Sequence, residues 1–287
     1  MISSQKLLAL LAVVIALVLV EAGALTYLAS ESSQNKAAQE QAARQLELTS
    51  VTADCNGIIN SLMMNIDRST AQTAKDLKVT GLNGSGARAA LDRGLQASNL
   101  IINMVTTDLN GIIIAAEPAQ YYFLEGKSIM DQEPIVQMIA EQQPVISPLM
   151  MMVEGYHAVF VGYPVFDSAG KVNGTLTSLF RPDQMVNVAY LSLVKPRNLG
   201  LMVMQGDGSI LFDPDPAQVG RNTFTDPMFA AFPQIQSVAW RMVNESTGLD
   251  TYTFTVPGQT TPVSKIVVWC TSFLMQANWT VAVNRVN

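Results

Sequence analysis

Apolar residues recur at helical spacing over a long segment in the first third of the chain. From Val51 to Ile66 they stand three or four positions apart or side by side, and no proline occurs in residues 32–79. Such spacing places apolar side chains on one face of a helix. The pattern predicts a long helix over 32–79, which ends at the glycine-rich segment Gly81–Gly86.

Two similar segments, 98 residues apart, form an internal repeat. They are Met104–Gln120 and Met202–Gln218. Each begins with Met-Val, continues through a glycine-containing turn to a run of apolar residues, and ends in an acidic residue followed by Pro-Ala-Gln. Two apolar runs around such a turn are typical of a β-hairpin. A helical segment and three strand-like runs follow each copy, so the repeat predicts two similar lobes.

The remaining pattern predicts an α+β fold in which each lobe is an antiparallel sheet with flanking helices. Predicted helices cover residues 87–97, 130–141, 182–196 and 233–244, and further predicted strands cover 145–153, 156–166, 172–180, 251–256, 265–273 and 279–286. We therefore divide the chain into an anchor or signal segment (1–31), the long helix (32–79), a first lobe (80–181), a connecting helix (182–196) and a second lobe (197–287).

An apolar run near the N-terminus indicates a location outside the cytoplasm. Leu7–Val20 is a run of 14 apolar residues, and with the residues up to Ala29 it reaches 23. The longer segment suffices for a membrane anchor, whereas the shorter one, with the small residues Ala22–Ala24 behind it, is typical of a signal peptide cleaved near Ala24. Because helical sequence continues directly, we favour the anchor over secretion.

The net charge and the small number of reactive side chains argue against several classes of function. The net charge is −6 with 17 Lys and Arg, and these cations form no cluster, which argues against nucleic-acid binding. His157 is the only histidine, and no nucleophile–base pair or metal motif surrounds it, so we predict neither catalysis, nor a cofactor, nor a metal. Cys55 and Cys270 either pair as a disulfide in an oxidising compartment or remain separate buried thiols.

Four stretches match a known family in their order and spacing. They are Gln143–Pro148, Val161–Asp167 with Gly170–Leu176, Asp207–Asp215 with Val219–Asn222, and Asn278–Val283. On these residues the chain from Ser32 onward resembles the double Cache family, the PAS-like extracellular sensor domains of chemoreceptors and histidine kinases. The resemblance implies two tandem PAS-like lobes, the first of them membrane-distal and the second membrane-proximal.

The resemblance also implies a function. Small molecules bind mainly in the distal lobe of this family, between the sheet and its covering loops, and helices carry the signal to an output domain. We expect noncovalent sensing of a small extracellular molecule, output from a partner protein, and a homodimer formed through the long helix. The Arg-x-Trp-Tyr pattern of amino-acid-binding members is absent, since Asp131–Val136 stands in its place. The alternatives are a secreted solute-binding protein and a surface structural protein whose lobes bind nothing.

Six residues of the first lobe are candidate ligand contacts. They are Tyr121, Met151, Tyr156, His157, Tyr163 and Arg181. Aromatic side chains beside a cleft offer a large contact area with a polar tip, and methionine forms an adaptable wall. The histidine stands on a strand that lines the pocket in the family, and the arginine either meets an anion or neutralises Asp183. Core packing is the alternative role for the aromatic residues and the methionine.

Overall fold

The computed structural model describes residues 4–255, 261–274 and 277–286. The chain divides into two units, one up to Glu47 and one from Leu48 to Asn287. Among the described residues, no helix has a stretch apolar and long enough to cross a bilayer. The side chains of the apolar run Leu7–Val20 lie outside the described set, so the anchor and signal-peptide readings stay predictions.

The described parts of the chain contain five α-helices and eleven strands, together with short 3-10 and π-helical turns. The helices are α1 (Ser4–Thr80), α2 (Gly84–Ala97), α3 (Glu133–Glu141), α4 (Pro182–Ala189) and α5 (Pro233–Asn244). The strands are β1 (Ile101–Thr107), β2 (Ile113–Glu117), β3 (Val145–Ile146), β4 (Met150–Met151), β5 (His157–Phe166), β6 (Val172–Phe180), β7 (Gly200–Gln205), β8 (Ile210–Phe212), β9 (Thr247–Thr255), β10 (Pro262–Leu274) and β11 (Ala277–Val286). A long N-terminal helix followed by two antiparallel sheets with flanking helices confirms the predicted α+β fold.

The two sheets share one topology. The first sheet has the order β2-β1-β6-β5-β3, with β4 also paired to β5, and the second has the order β8-β7-β11-β10-β9. In both, a hairpin from one copy of the internal repeat forms an edge, and the last strand of the lobe lies beside it in the interior of the sheet. The segments 80–181 and 197–287 therefore enclose one sheet each.

Two predicted elements differ from the structure for local reasons. The predicted strand 145–153 is interrupted between β3 and β4, because Pro148 has no N–H for the ladder and the Ser147 hydroxyl oxygen accepts the N–H of Phe160 at 2.9 Å. The predicted helix 130–141 begins only at Glu133. The backbone before it is tied to the β1–β2 turn instead, where the N–H of Ile129 donates to the carbonyl of Gly111 at 2.9 Å.

The part of α1 that begins at Leu48 packs on both sheets. Its buried apolar residues are Leu48, Val51, Cys55, Ile59, Met63, Ile66, Ala74 and Leu77, which confirms the helical stripe. Thr52 donates its hydroxyl to the carbonyl of Val268 in the second sheet at 3.4 Å. Further along, Thr70 donates its hydroxyl to that of Ser178 in the first sheet at 2.8 Å. One helix thus joins the cores of both lobes.

Candidate functional site

Each sheet has one face on α1 and one face covered by a shorter helix and loops. In β5, Val159 and Val161 belong to the core shared with α1. The alternate residues Ala158 and Phe160 belong to an outer layer formed with α3. Because side chains alternate along a strand, a ligand site in the first lobe lies between this outer face and its cover.

The first lobe holds a small cavity at this position. Its volume is about 30 Å³, which is room for one or two water molecules. Most of its wall is apolar, but four polar residues line it as well: Asn103, Gln132, Glu154 and Thr177. The Asn103 side chain, buried to 2% exposure, donates from Nδ2 to Oε1 of Glu154 at 2.7 Å. This hydrogen bond links the sheet to the loop that covers it.

Tyr121 and Tyr156 lie together in the outer layer. Both pack against its buried residues. The Tyr156 hydroxyl is buried and has no hydrogen-bond partner among the described residues. Burial raises its pKa, and the neighbouring phenol of Tyr121 raises it further. A ligand or a water that reached this hydroxyl would offer it a further hydrogen-bond partner.

Met151 and His157 face away from this cavity. They pair with each other across the β4–β5 ladder, and both are exposed. A Cβ atom placed on Gly220 of the second lobe would lie 3.4 Å from Nδ1 of His157, so the imidazole sits against that backbone. Neither residue lines the cavity, and their role as ligand contacts stays a prediction.

Tyr163 and Arg181 have protein partners outside the cavity. Tyr163 lies on the α1 face of the sheet and donates its hydroxyl to Oδ1 of Asp67 at 2.6 Å. Arg181 makes two hydrogen bonds to Asp183, at 3.1 and 2.6 Å. This contact matches one of the two roles expected for Arg181, the neutralisation of that carboxylate.

The four polar residues of the cavity were not among the sequence candidates. Asn103 interrupts the apolar run Ile101–Val105, and a polar side chain inside such a run was the available signal. Glu154 belongs to a Glu-Gly pair that the pattern assigns to a turn, which gives no indication that the carboxylate folds back over the sheet. A covering loop has no periodicity, so its inward-facing residues emerge only from the tertiary structure.

The second lobe has a larger cavity at the equivalent place. It lies between α5 and the face of the second sheet that turns away from α1, and its volume is about 130 Å³. Asp213, Tyr252 and Lys265 are among the residues that line it. None of these three residues was predicted from the sequence to contact a ligand.

The two cysteines lie on neighbouring elements, α1 and β10, and the structure has both as free thiols. The Cys270 thiol approaches the carbonyl of Thr52, one turn before Cys55, at 3.9 Å. Burial raises the pKa of Cys55 to about 12 and that of Cys270 to about 11. Their pairing stays a prediction. Among the described residues, no three His, Cys, Asp or Glu side chains are grouped so that they could hold a metal ion.

The chain is similar to known sensor and ligand-binding domains in sequence and in fold. Residues 61–182 match the family model "HK/GC/Chemotaxis protein-like, sensor domain". No curated protein sequence matches the chain. Among solved structures, an extracellular ligand-binding receptor from Desulfohalobium retbaense is 26% identical, with a TM-score of 0.68 over 83% of this chain. The chain spans only 40% of that receptor's length.

Two ligand-binding domains from Pseudomonas match over more of their own length. The domain of the Pseudomonas aeruginosa amino-acid chemoreceptor PctB, in complex with L-Gln, is 13% identical with a TM-score of 0.60, over 83% of this chain and 88% of its own. The domain of the Pseudomonas fluorescens chemoreceptor CtaA, in complex with L-serine, is 14% identical with a TM-score of 0.61, over 84% and 97%. At these identities the likeness shows the fold.

Proposed function

We propose that this chain, a Cache-type sensor domain by its family match and its fold, is an extracytoplasmic sensory module that binds a small molecule noncovalently. The resemblance to the double Cache family indicated by the sequence is confirmed. One observation carries the proposal: the matched residues 61–182 cover the end of α1 and the whole first sheet, where a cavity lined by buried polar groups lies. A partner protein supplies the output.

The cavity of the first lobe favours a neutral or cationic polar ligand. Its polar atoms belong to two amides, one hydroxyl and the Glu154 carboxylate, and none of the described residues that line it is a cation. A ligand carboxylate would therefore lie near Glu154 without a positive partner, which is unfavourable in a buried site. This distinguishes the proposed site from the carboxylate-binding pattern of amino-acid receptors.

Binding requires the cavity to open, because about 30 Å³ does not admit a metabolite. The cover that has to move is the segment between β3 and β5. Hydrogen bonds hold it at several points. The N–H of Phe160 donates to Oγ of Ser147 at 2.9 Å, and the N–H of Leu149 donates to Oε1 of Gln205 at 2.6 Å. In addition, β4 pairs with β5, and Asn103 donates to Glu154. We propose that the segment is displaced when the ligand enters, as loops over binding sites commonly are.

Strand β6 supplies a route from the cavity to α1. Thr177 lines the cavity, and the next residue, Ser178, accepts the hydroxyl of Thr70 on the opposite face of the sheet. A shift of β6 on ligand binding would therefore act directly on the long helix. In this proposal α1 is the element whose position reports occupancy to the partner.

A thermal-shift screen of neutral and cationic polar metabolites, followed by calorimetry, tests the proposal. We expect Glu154→Gln to weaken binding of the ligand found by about tenfold or more, because it removes a charged hydrogen-bond acceptor. Glu141→Gln, at an exposed position of the same lobe, is the matched control and should leave the Kd unchanged. Absence of any ligand, or a ligand indifferent to Glu154→Gln, would contradict the proposed site.

Membrane anchoring through Leu7–Ala29 is a further part of the proposal, supported by the length of that apolar segment. The competing function is a secreted solute-binding protein released after Ala24. Intact-mass measurement of the mature chain separates the two, because cleavage would leave Leu25 as the first residue. An intact N-terminus in the membrane fraction supports the anchored sensor.

A further inference from the structure

The cavity of the second lobe is the roomier of the two. At about 130 Å³ it is about four times the volume of the cavity in the first lobe, although both lie on the face of their sheet that turns away from α1. A cavity of about 150 Å³ in another protein accommodates benzene. The second lobe therefore has room, without any rearrangement, for a molecule of roughly five to eight non-hydrogen atoms.

Two opposite charges line this cavity from different strands. Asp213 directly follows β8, and Lys265 belongs to β10. Both are half-buried, and they form no ion pair with each other or with another of the described residues. The Asp213 carboxylate accepts one hydrogen bond, from the N–H of Asp215 at 2.8 Å. The Lys265 ammonium lies 5.2 Å from the centre of the Phe254 ring.

Both groups retain unused hydrogen-bonding capacity. A carboxylate accepts about four hydrogen bonds and an ammonium donates three, so the contacts above leave most of it open. Burial raises the pKa of Asp213 to about 6, and burial lowers the pKa of Lys265, although each charge favours the other. The attraction between them thus does not compensate for the water they have lost. A bound molecule with complementary charges would provide the missing partners.

The rest of the cavity is mostly apolar. Helix α5 contributes Val238, Ala239 and Met242, and the Phe229 ring and the Tyr252 ring add aromatic surface. Burial raises the pKa of Tyr252 to about 12, so its hydroxyl is a neutral donor near neutral pH. The wall accordingly suits a short hydrocarbon body with polar groups directed toward the sheet.

We propose that the second lobe is a binding site of its own for a small zwitterion. The ammonium group of the ligand pairs with Asp213, its carboxylate pairs with Lys265, and its hydrocarbon part contacts α5. This site is separate from the one proposed in the first lobe, where a carboxylate would have no cation to meet.

Calorimetry on the full chain tests the site with three probes: L-alanine, L-valine and γ-aminobutyrate. Isopentylamine and isovalerate, which carry one charge each, serve as ligand controls. We expect at least one zwitterion to bind, and Asp213→Asn and Lys265→Met to weaken it by about tenfold or more each. Asp215→Asn, an exposed neighbour that does not line the cavity, should leave binding unchanged.

The outcomes separate this site from that of the first lobe. Loss of zwitterion binding in Asp213→Asn but not in Glu154→Gln supports the second-lobe site, and the reverse pattern overturns it. Binding of none of the three zwitterions, or equal binding of the one-charge analogues, also overturns it. If a variant fails to fold, lysine side-chain NMR of the unaltered protein still decides, because the Lys265 signal has to move on addition of the zwitterion.

Discussion

Replacing Asp213 by asparagine should stabilise the protein near neutral pH and not in acid. The folded carboxyl has a pKa raised from 3.8 to about 6, chiefly by burial, so the folded state holds this proton more tightly than the unfolded chain. The associated stability is complete below the unfolded pKa and is lost as the pH rises through about 6. Asparagine carries no charge and retains an oxygen for the N–H of Asp215.

The rise in the pKa of Asp213 sets an upper limit to the gain in stability of the Asp213→Asn variant. At about 1.36 kcal/mol for each pH unit, the rise corresponds to about 3 kcal/mol. We expect roughly 1–2 kcal/mol, because part of the carboxylate remains hydrated and because Lys265 loses an attractive partner in the variant. The gain should therefore be near zero at about pH 4 and reach its full size above about pH 7.

Urea unfolding followed by circular dichroism, at about pH 4.5 and about pH 7.5, measures this difference. The exposed neighbour Asp215 provides the matched variant, Asp215→Asn, whose stability change should differ less between the two pH values, because its charge is only a minor cause of the raised pKa of Asp213. A stability difference for Asp213→Asn that is the same at both pH values would refute the reasoning. So would a loss of stability at the higher pH, because it would mean that the carboxylate is favourably paired in the folded protein.

Two further predictions concern glycines and cysteines. Gly94→Ala should destabilise the protein by about 1–3 kcal/mol, because the new Cβ would overlap the Thr73 hydroxyl where α2 meets α1. Gly57→Ala, with open space around it, should instead stabilise α1 by up to about 1 kcal/mol. Chemical denaturation of both variants measures the two effects, and a Gly94→Ala variant as stable as the unaltered protein would contradict the prediction. Cys55 and Cys270 should resist iodoacetamide at neutral pH because their pKa values are raised to about 12 and about 11, and should react once unfolded. Mass spectrometry reads the labelling, and an unfolded chain that remains unlabelled would indicate a disulfide.

The sequence by itself determined much of the architecture. The apolar spacing from Val51 to Ile66 fixed the buried stripe of the long helix, because helical periodicity is a local property. The repeat starting at Met104 and Met202 determined two hairpins, because each turn lies between its own two strands.

The strand period also bears on two of the candidate ligand contacts. Tyr156 and Tyr163 are separated by an odd number of positions, so a regular strand presents them on opposite faces. The structure has Tyr156 in the outer layer and Tyr163 bonded to Asp67 on the α1 face. The two tyrosines thus lie on opposite faces of the first sheet, as regular alternation requires.

Only the tertiary structure decided which residues meet in each cavity. Asp213 and Lys265 are 52 positions apart in the chain. They line one cavity because Asp213 follows β8, Lys265 lies in β10 of the same sheet, and α5 covers that face of the sheet. Glu154 reaches Asn103 because its loop folds back over the first sheet. The strand period specifies the face on which a side chain lies. It carries no information on which strands adjoin or on what covers that face, since those depend on contacts between residues far apart in the chain.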